Sequence, residues 1–161
     1  MTSKPYVRFI IAAIFTGLTI GSNLAFDSGD VRSLRFLGVF FALLALTFFA
    51  APPFILRKHG EIKTGESFLD TQVVVDAGLF GIVRHPQYLG YIFLLITFML
   101  LAQHWLTSLF GVLAIIFFYL HILQEEKYCL TKFGTAYQTY MQRVPRLNLV
   151  LGIYRTLRRK E

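Results

Sequence analysis

Two short clusters of ionisable and aromatic side chains carry the chemistry that this sequence could do. The first is Arg84-His85-Pro86-Gln87-Tyr88, in which Pro86 suits the first turn of a helix and Arg84 and His85 sit just ahead of it. The second is Gln124-Glu125-Glu126. No charged residue lies between Pro86 and Gln124, far more than one membrane span needs, and the polar patch Gln103-His104-Trp105 falls midway. A tight helical hairpin turning at that patch brings its two ends to one face, so Arg84 and His85 should lie near Glu125 and Glu126. Guanidinium, imidazole and carboxylate gathered at the mouth of a helix bundle suit a charged ligand, because charge beside hydrocarbon is costly and tends to serve a function. The same residues have a plainer use: Arg84 as an interfacial anchor, and Glu125-Glu126 as a solvated helix end paired with Lys127 and Lys132. Spacing alone leaves both readings open, as it does for His121, either a ligand or a satisfied polar residue within the bundle. No His and Cys spacing calls for zinc or another metal, no Gly-rich phosphate loop is present, and no nucleophile has a base and an orienting partner. A hydrolase therefore has little support.

The elements that must position these clusters are set by hydropathy. In 161 residues, 55% are hydrophobic, with a mean hydropathy of +0.58, too apolar for a soluble core of that length. The expected fold is all-α: a single polytopic membrane domain over residues 1–161 with about four transmembrane helices, a C-terminal helical hairpin and an amphipathic C-terminal helix. Uncharged runs place the spans at about 9–26, 36–56, 88–102 and 106–123, with site elements 57–87 and 124–146 on the cytosolic side. Lys4 and Arg8 precede the first span. A cleaved signal peptide is the alternative for that segment, but Asn23-Leu24-Ala25 makes a poor cleavage site and further spans follow. Gly17 and Gly21 form a small-xxx-small pair that admits a second helix, within the chain or across a homodimer, with packing inside the chain the expected use. Pro52-Pro53 should bend the second span near its end. The segment from Arg57 to Arg84 is the one long polar stretch, a loop containing the β-prone Val73-Val74-Val75. After Glu125, the spacing of Leu130, Phe133, Tyr137 and Tyr140 predicts an amphipathic helix along the membrane surface, with Gly134 its weak point, followed by a basic tail at Arg155, Arg158, Arg159 and Lys160.

The net charge of +7 and isoelectric point near 9.8 fit cytosolic loops facing anionic headgroups; nucleic acid is excluded for want of a stacking platform or recognition motif. With both termini cytosolic, only Arg32 and Arg35 among the Lys and Arg residues fall outside, which satisfies the positive-inside rule. Cys129, the single cysteine, has no partner for an intrachain disulfide.

From residue 78 to 146 the sequence resembles the isoprenylcysteine carboxyl methyltransferases and the related phospholipid methyltransferases. The resemblance rests on Gly-Leu-Phe-Gly-Ile-Val-Arg-His-Pro-Gln-Tyr-Leu-Gly at 78–90, Glu125-Glu126, Leu130, Phe133-Gly134, Tyr137, Tyr140 and Val144-Pro145-Arg146. It implies a membrane enzyme that uses S-adenosyl-L-methionine to methylate a hydrophobic, membrane-partitioned acceptor, isoprenylcysteine-carboxylate-like or lipid-like. Through the family, Gln72, Val73, Val74, Val75, Phe80, His85, Pro86, Gln87 and Tyr88 would line the cofactor pocket, and Glu125 would bind the cofactor's polar end. Arg84 and Glu126 would be catalytic, while His121 and Arg146 would meet the substrate. Two departures stand out: the family's substrate-contacting arginine, one turn before the glutamate pair, is replaced by His121, and Phe80 lacks the hydroxyl expected after the motif's first glycine. The alternative functions are an NADPH-dependent membrane reductase of the sterol-reductase type and a non-catalytic lipid-binding membrane subunit.

Overall fold

The computed structural model describes residues 6–26, 28–67 and 69–158. Lys4, Arg159 and Lys160 lie outside the described residues. The chain is all-helical, with no strand among the described residues: α1 Val7–Ala25, α2 Arg32–His59, α3 Pro86–Ala102, α4 Trp105–Phe133, α5 Thr135–Arg143 and α6 Leu149–Arg158, with one 3₁₀ turn over Gly78–Gly81. Helices α1, α2 and α4 are long and apolar enough to cross a membrane. Helix α3 has 17 residues, about 26 Å at 1.5 Å per residue, slightly short of a typical hydrocarbon core. The protein is accordingly a polytopic membrane protein.

Two compact units make up the chain: residues up to Leu46 with Gly90–Glu125, and Thr47–Leu89 with the residues from Glu126 onward. In the first unit, α3 and α4 are joined by only Gln103 and His104, the tight hairpin that the polar patch predicts. Gln103 takes a left-handed conformation (φ 49°). Its amide side chain makes a two-way clamp on Val31, accepting from the backbone N–H at 3.0 Å and donating to the carbonyl at 2.9 Å. Ser22 of α1 meets Thr107 of α4 at 2.9 Å, both buried, so two hydroxyls satisfy each other where water cannot reach. Asn23 donates to the Phe98 carbonyl, and Arg8 to that of Leu120. The Phe9 ring lies against Tyr91, Phe118 and His121, and Tyr91 stacks on Phe118 with centroids 4.8 Å apart. Helix α1 thus packs through Ala12, Thr19 and Ser22. Gly17 and Gly21 are exposed, with nothing within 4 Å of a Cβ added at either, so the expectation that this pair packs inside the chain is not met.

In the second unit, the latter half of α2 runs through Pro52-Pro53 to His59 without ending, although each proline removes an i→i−4 donor. Val73-Val74-Val75 belongs to an irregular segment that starts where the Gln72 N–H bonds back to the Gly60 carbonyl at 2.8 Å. The largest difference from expectation follows Glu125. Helix α4 does not stop at residue 123 but continues to Phe133, so Leu130 and Phe133 belong to the same helix as the fourth span. The break comes at Gly134, whose φ of 54° and ψ of −129° only glycine adopts readily. Tyr137 and Tyr140 then bury themselves on α5 with Val144, packed by Val74, Cys129, Leu130, Phe133 and Met141. Arg155 and Arg158, which read as part of a basic tail, belong to a further helix, α6.

Candidate functional site

The second unit gathers Arg84, His85, Glu126 and Arg146. Glu126 lies on the part of α4 beyond the uncharged stretch, only 4% exposed. Arg84 donates to its Oε1 from Nε at 3.0 Å and from Nη2 at 2.7 Å. Arg146 donates to Oε2 from Nη2 at 2.6 Å and reaches both oxygens from Nε at 3.0 Å. His85, 5% exposed, has Nε2 3.4 Å from Oε1. One buried carboxylate is therefore clasped between two guanidinium forks, the geometry in which charge-assisted hydrogen bonds are strongest.

The backbone brings the two arginines to this carboxylate. Residues 84–85 lie beside 145–146, with the Arg84 N–H donating to the Pro145 carbonyl at 2.9 Å and that of His85 to Arg146 at 3.3 Å. Nη1 of Arg84 then caps the carbonyls of Met141 and Val144, at 2.9 and 2.8 Å, at the end of α5. Tyr140 ties the 3₁₀ turn to the same place, its hydroxyl donating to the Phe80 carbonyl at 2.7 Å. Arg143 and Asp76 add an exposed ion pair at 3.2 Å. Burial pushes the phenols of Tyr137 and Tyr140 well above the usual range, so both stay neutral hydrogen-bonding groups at any working pH.

The site residues named from the sequence are distributed unevenly. Arg84, His85, Glu126 and Arg146 come together. Phe80 is half-buried at the 3₁₀ turn, Val74 packs on the Tyr137–Tyr140 cluster, and Val75 and Pro86 are buried. Tyr88, half-buried, sets its ring edge-on to His85 with centroids 5.7 Å apart. Gln87 and Val73 are half-buried, whereas Gln72 is exposed and donates to the Asp70 carbonyl at 3.0 Å. Glu125 and His121 belong to the first unit, where His121 lies against Phe9. The Met141 and Val144 carbonyls and the Tyr140 hydroxyl were not anticipated. Backbone acceptors leave no mark in a sequence, and Tyr140 enters the sequence reading on a helix face and in the resemblance, with no hydrogen-bonding role.

Chemically, the cluster holds two guanidinium charges against one carboxylate, an excess of one positive charge. The Arg84 side chain is 7% exposed, whereas that of Arg146 is 29% exposed and is the more accessible of the two cations. A carboxylate accepting hydrogen bonds on both oxygens from two cations is a brace and a poor proton acceptor.

Residues 61–131 match the isoprenylcysteine carboxyl methyltransferase (ICMT) family model. Over 99 residues, 56% of this chain, the sequence is 34% identical to a Schizosaccharomyces pombe protein named protein-S-isoprenylcysteine O-methyltransferase. The aligned part covers 42% of that relative's length. No solved structure matches the chain.

Proposed function

We propose that the protein transfers a methyl group from S-adenosyl-L-methionine to the carboxylate of a hydrophobic, prenylated-cysteine-like acceptor that partitions into the bilayer. The observation that carries this reading is the clasp of Arg84, Glu126 and Arg146, two cations on one carboxylate with the Arg146 side chain 29% exposed, within a chain of which residues 61–131 match this methyltransferase family model. A carboxylate acceptor is ionised at neutral pH and needs no base, which fits a site whose own carboxylate is fully engaged.

The residues present suit the cofactor. Phe80 and Tyr88 are half-buried aromatics of the kind an adenine stacks on, and the irregular segment 72–75 keeps its backbone out of any helix or strand. When bound, the cofactor supplies a methyl group already activated on a sulfonium. The protein's part is alignment and exclusion of water. Arg146 orients the acceptor carboxylate; Arg84 and Glu126 hold Arg146 in place, and His85 fills the remaining side of the Glu126 carboxylate. Glu125, for the ammonium end of the cofactor, and His121, near the acceptor, follow from the resemblance. Histidine in place of arginine there loosens the hold on a carboxylate and widens the acceptor range toward other lipid-like molecules. The distribution of Lys and Arg supports cytosolic termini and cofactor access from the cytosol.

Calorimetric titration of the detergent-purified protein with S-adenosylhomocysteine tests the cofactor. Micromolar binding is expected, weakened roughly 5- to 150-fold by Phe80→Ala if an adenine rests on that ring, from about 1–3 kcal/mol of base–aromatic stacking. Absence of binding to folded protein, or binding of NADPH instead, would overturn the proposal.

A further inference from the structure

Helix α6 is amphipathic in an unusual arrangement. Its inner face is set by Gly152, which lies so close to the Ile82 carbonyl that any Cβ would collide with it, and by Thr156, whose hydroxyl bonds the Gly152 and Gly81 carbonyls at 2.8 and 3.3 Å. Directly opposite stand Val150, Ile153, Tyr154 and Leu157, which are 80, 44, 52 and 61% exposed. At 100° per residue these four fill an arc of about 100°, one continuous stripe. Arg146 and Arg155 bracket only eight uncharged residues, too few for a membrane span, so exposure of the stripe is not that of a spanning segment.

Charge indicates what covers the stripe. Arg155 and Arg158 flank one edge, with Arg158 held over the Tyr154 ring at 5.0 Å and Arg155 donating to the Gln142 carbonyl. From Lys127 to Lys160 the sequence contains eight Lys and Arg residues and no Asp or Glu. An apolar stripe beside cations, on a helix that itself carries no acid, matches the headgroup boundary of an anionic bilayer, where the stripe meets acyl chains and the guanidinium groups meet phosphates.

We propose that α6 is an interfacial docking helix that lies on anionic phospholipid through Val150, Ile153, Tyr154 and Leu157, with Arg155 and Arg158 as phosphate contacts. This is independent of the methyl-transfer reading. The test uses the full chain in nanodiscs, with Cys129→Ala as background and a nitroxide on Ile153→Cys or, separately, Leu157→Cys. In discs containing phosphatidylglycerol, both labels should be more accessible to oxygen than to a water-soluble nickel chelate. In pure phosphatidylcholine discs that preference should weaken. Each basic side chain near an anionic surface is worth about fivefold in partitioning, so Arg155→Gln with Arg158→Gln should lower the docked-to-undocked ratio about thirtyfold. Labels that stay water-accessible in both discs overturn the proposal. So does protection that follows the number of chains per disc and ignores lipid charge, which would make a second copy the occupant.

Discussion

Replacing Glu126 by glutamine removes the only negative charge between two guanidinium groups and scarcely alters the shape. The amide can still accept a hydrogen bond on its oxygen, but its nitrogen points donors at a guanidinium that has only donors to offer. Removing one partner of a buried ion pair costs about 3–5 kcal/mol, because the charge left behind is uncompensated. Here Arg146 is 29% exposed and water screens part of that charge, which puts Glu126→Gln near the lower end, about 3 kcal/mol. For a chain of this length that corresponds to a fall in Tm of about 6–12 °C, read from the loss of helical circular dichroism in mild detergent. Arg84→Met should cost more than Arg146→Met, since the Arg84 side chain is 7% exposed and also caps two carbonyls. A Glu126→Gln loss below about 0.5 kcal/mol, or equal losses for the two arginine variants, would show that the clasp does not brace the fold in the way argued.

Gly134→Ala should cost about 1–3 kcal/mol and blur the break between α4 and α5, because φ 54° with ψ −129° strains any residue with a Cβ; the fall in Tm measures it. Tyr140→Phe should lose about 0.5–1.5 kcal/mol by leaving the Phe80 carbonyl without its hydroxyl donor, measured in the same way. Burial raises the phenol pKa values of Tyr137 and Tyr140 above the unfolded value of about 10, so their contribution to stability is complete below pH 10 and lost as pH rises beyond it. Spectrophotometric titration should show these two tyrosines ionising only as the helical signal collapses; free ionisation near pH 10 in folded protein would contradict their burial.

The apolar helices were legible because a bilayer demands uncharged runs of fixed length, and the turn at Gln103-His104 was legible because polar residues interrupt one such run. Where the fourth span's helix ends was not. Charge at Glu125 and Glu126 marks where hydrocarbon stops, yet Gln, Glu and Lys favour helix, so α4 continues until Gly134 breaks it. Helix α6 was hidden for a related reason: its arginines read as a tail, while its signal for packing is the missing side chain at Gly152. The Gly17 and Gly21 pair shows that small residues permit a close approach without ensuring that the chain supplies one. Arg84, His85 and Glu126 could be brought together on paper because a hairpin's ends meet. Arg146 reaches the same carboxylate through backbone pairing of residues 84–85 with 145–146, a long-range contact that no local pattern announces.

The most direct test of the central claim is transfer itself. Purified protein, radiolabelled S-adenosyl-L-methionine and a farnesylated cysteine with a free carboxylate should yield a labelled product that releases methanol on mild base treatment, the mark of a methyl ester. Arg146→Met should raise KM for the acceptor more than it lowers kcat, by about tenfold or more for the loss of a charge-assisted contact. No base-labile product from folded protein that binds S-adenosylhomocysteine would contradict the carboxylate acceptor and shift attention to amine or hydroxyl lipids.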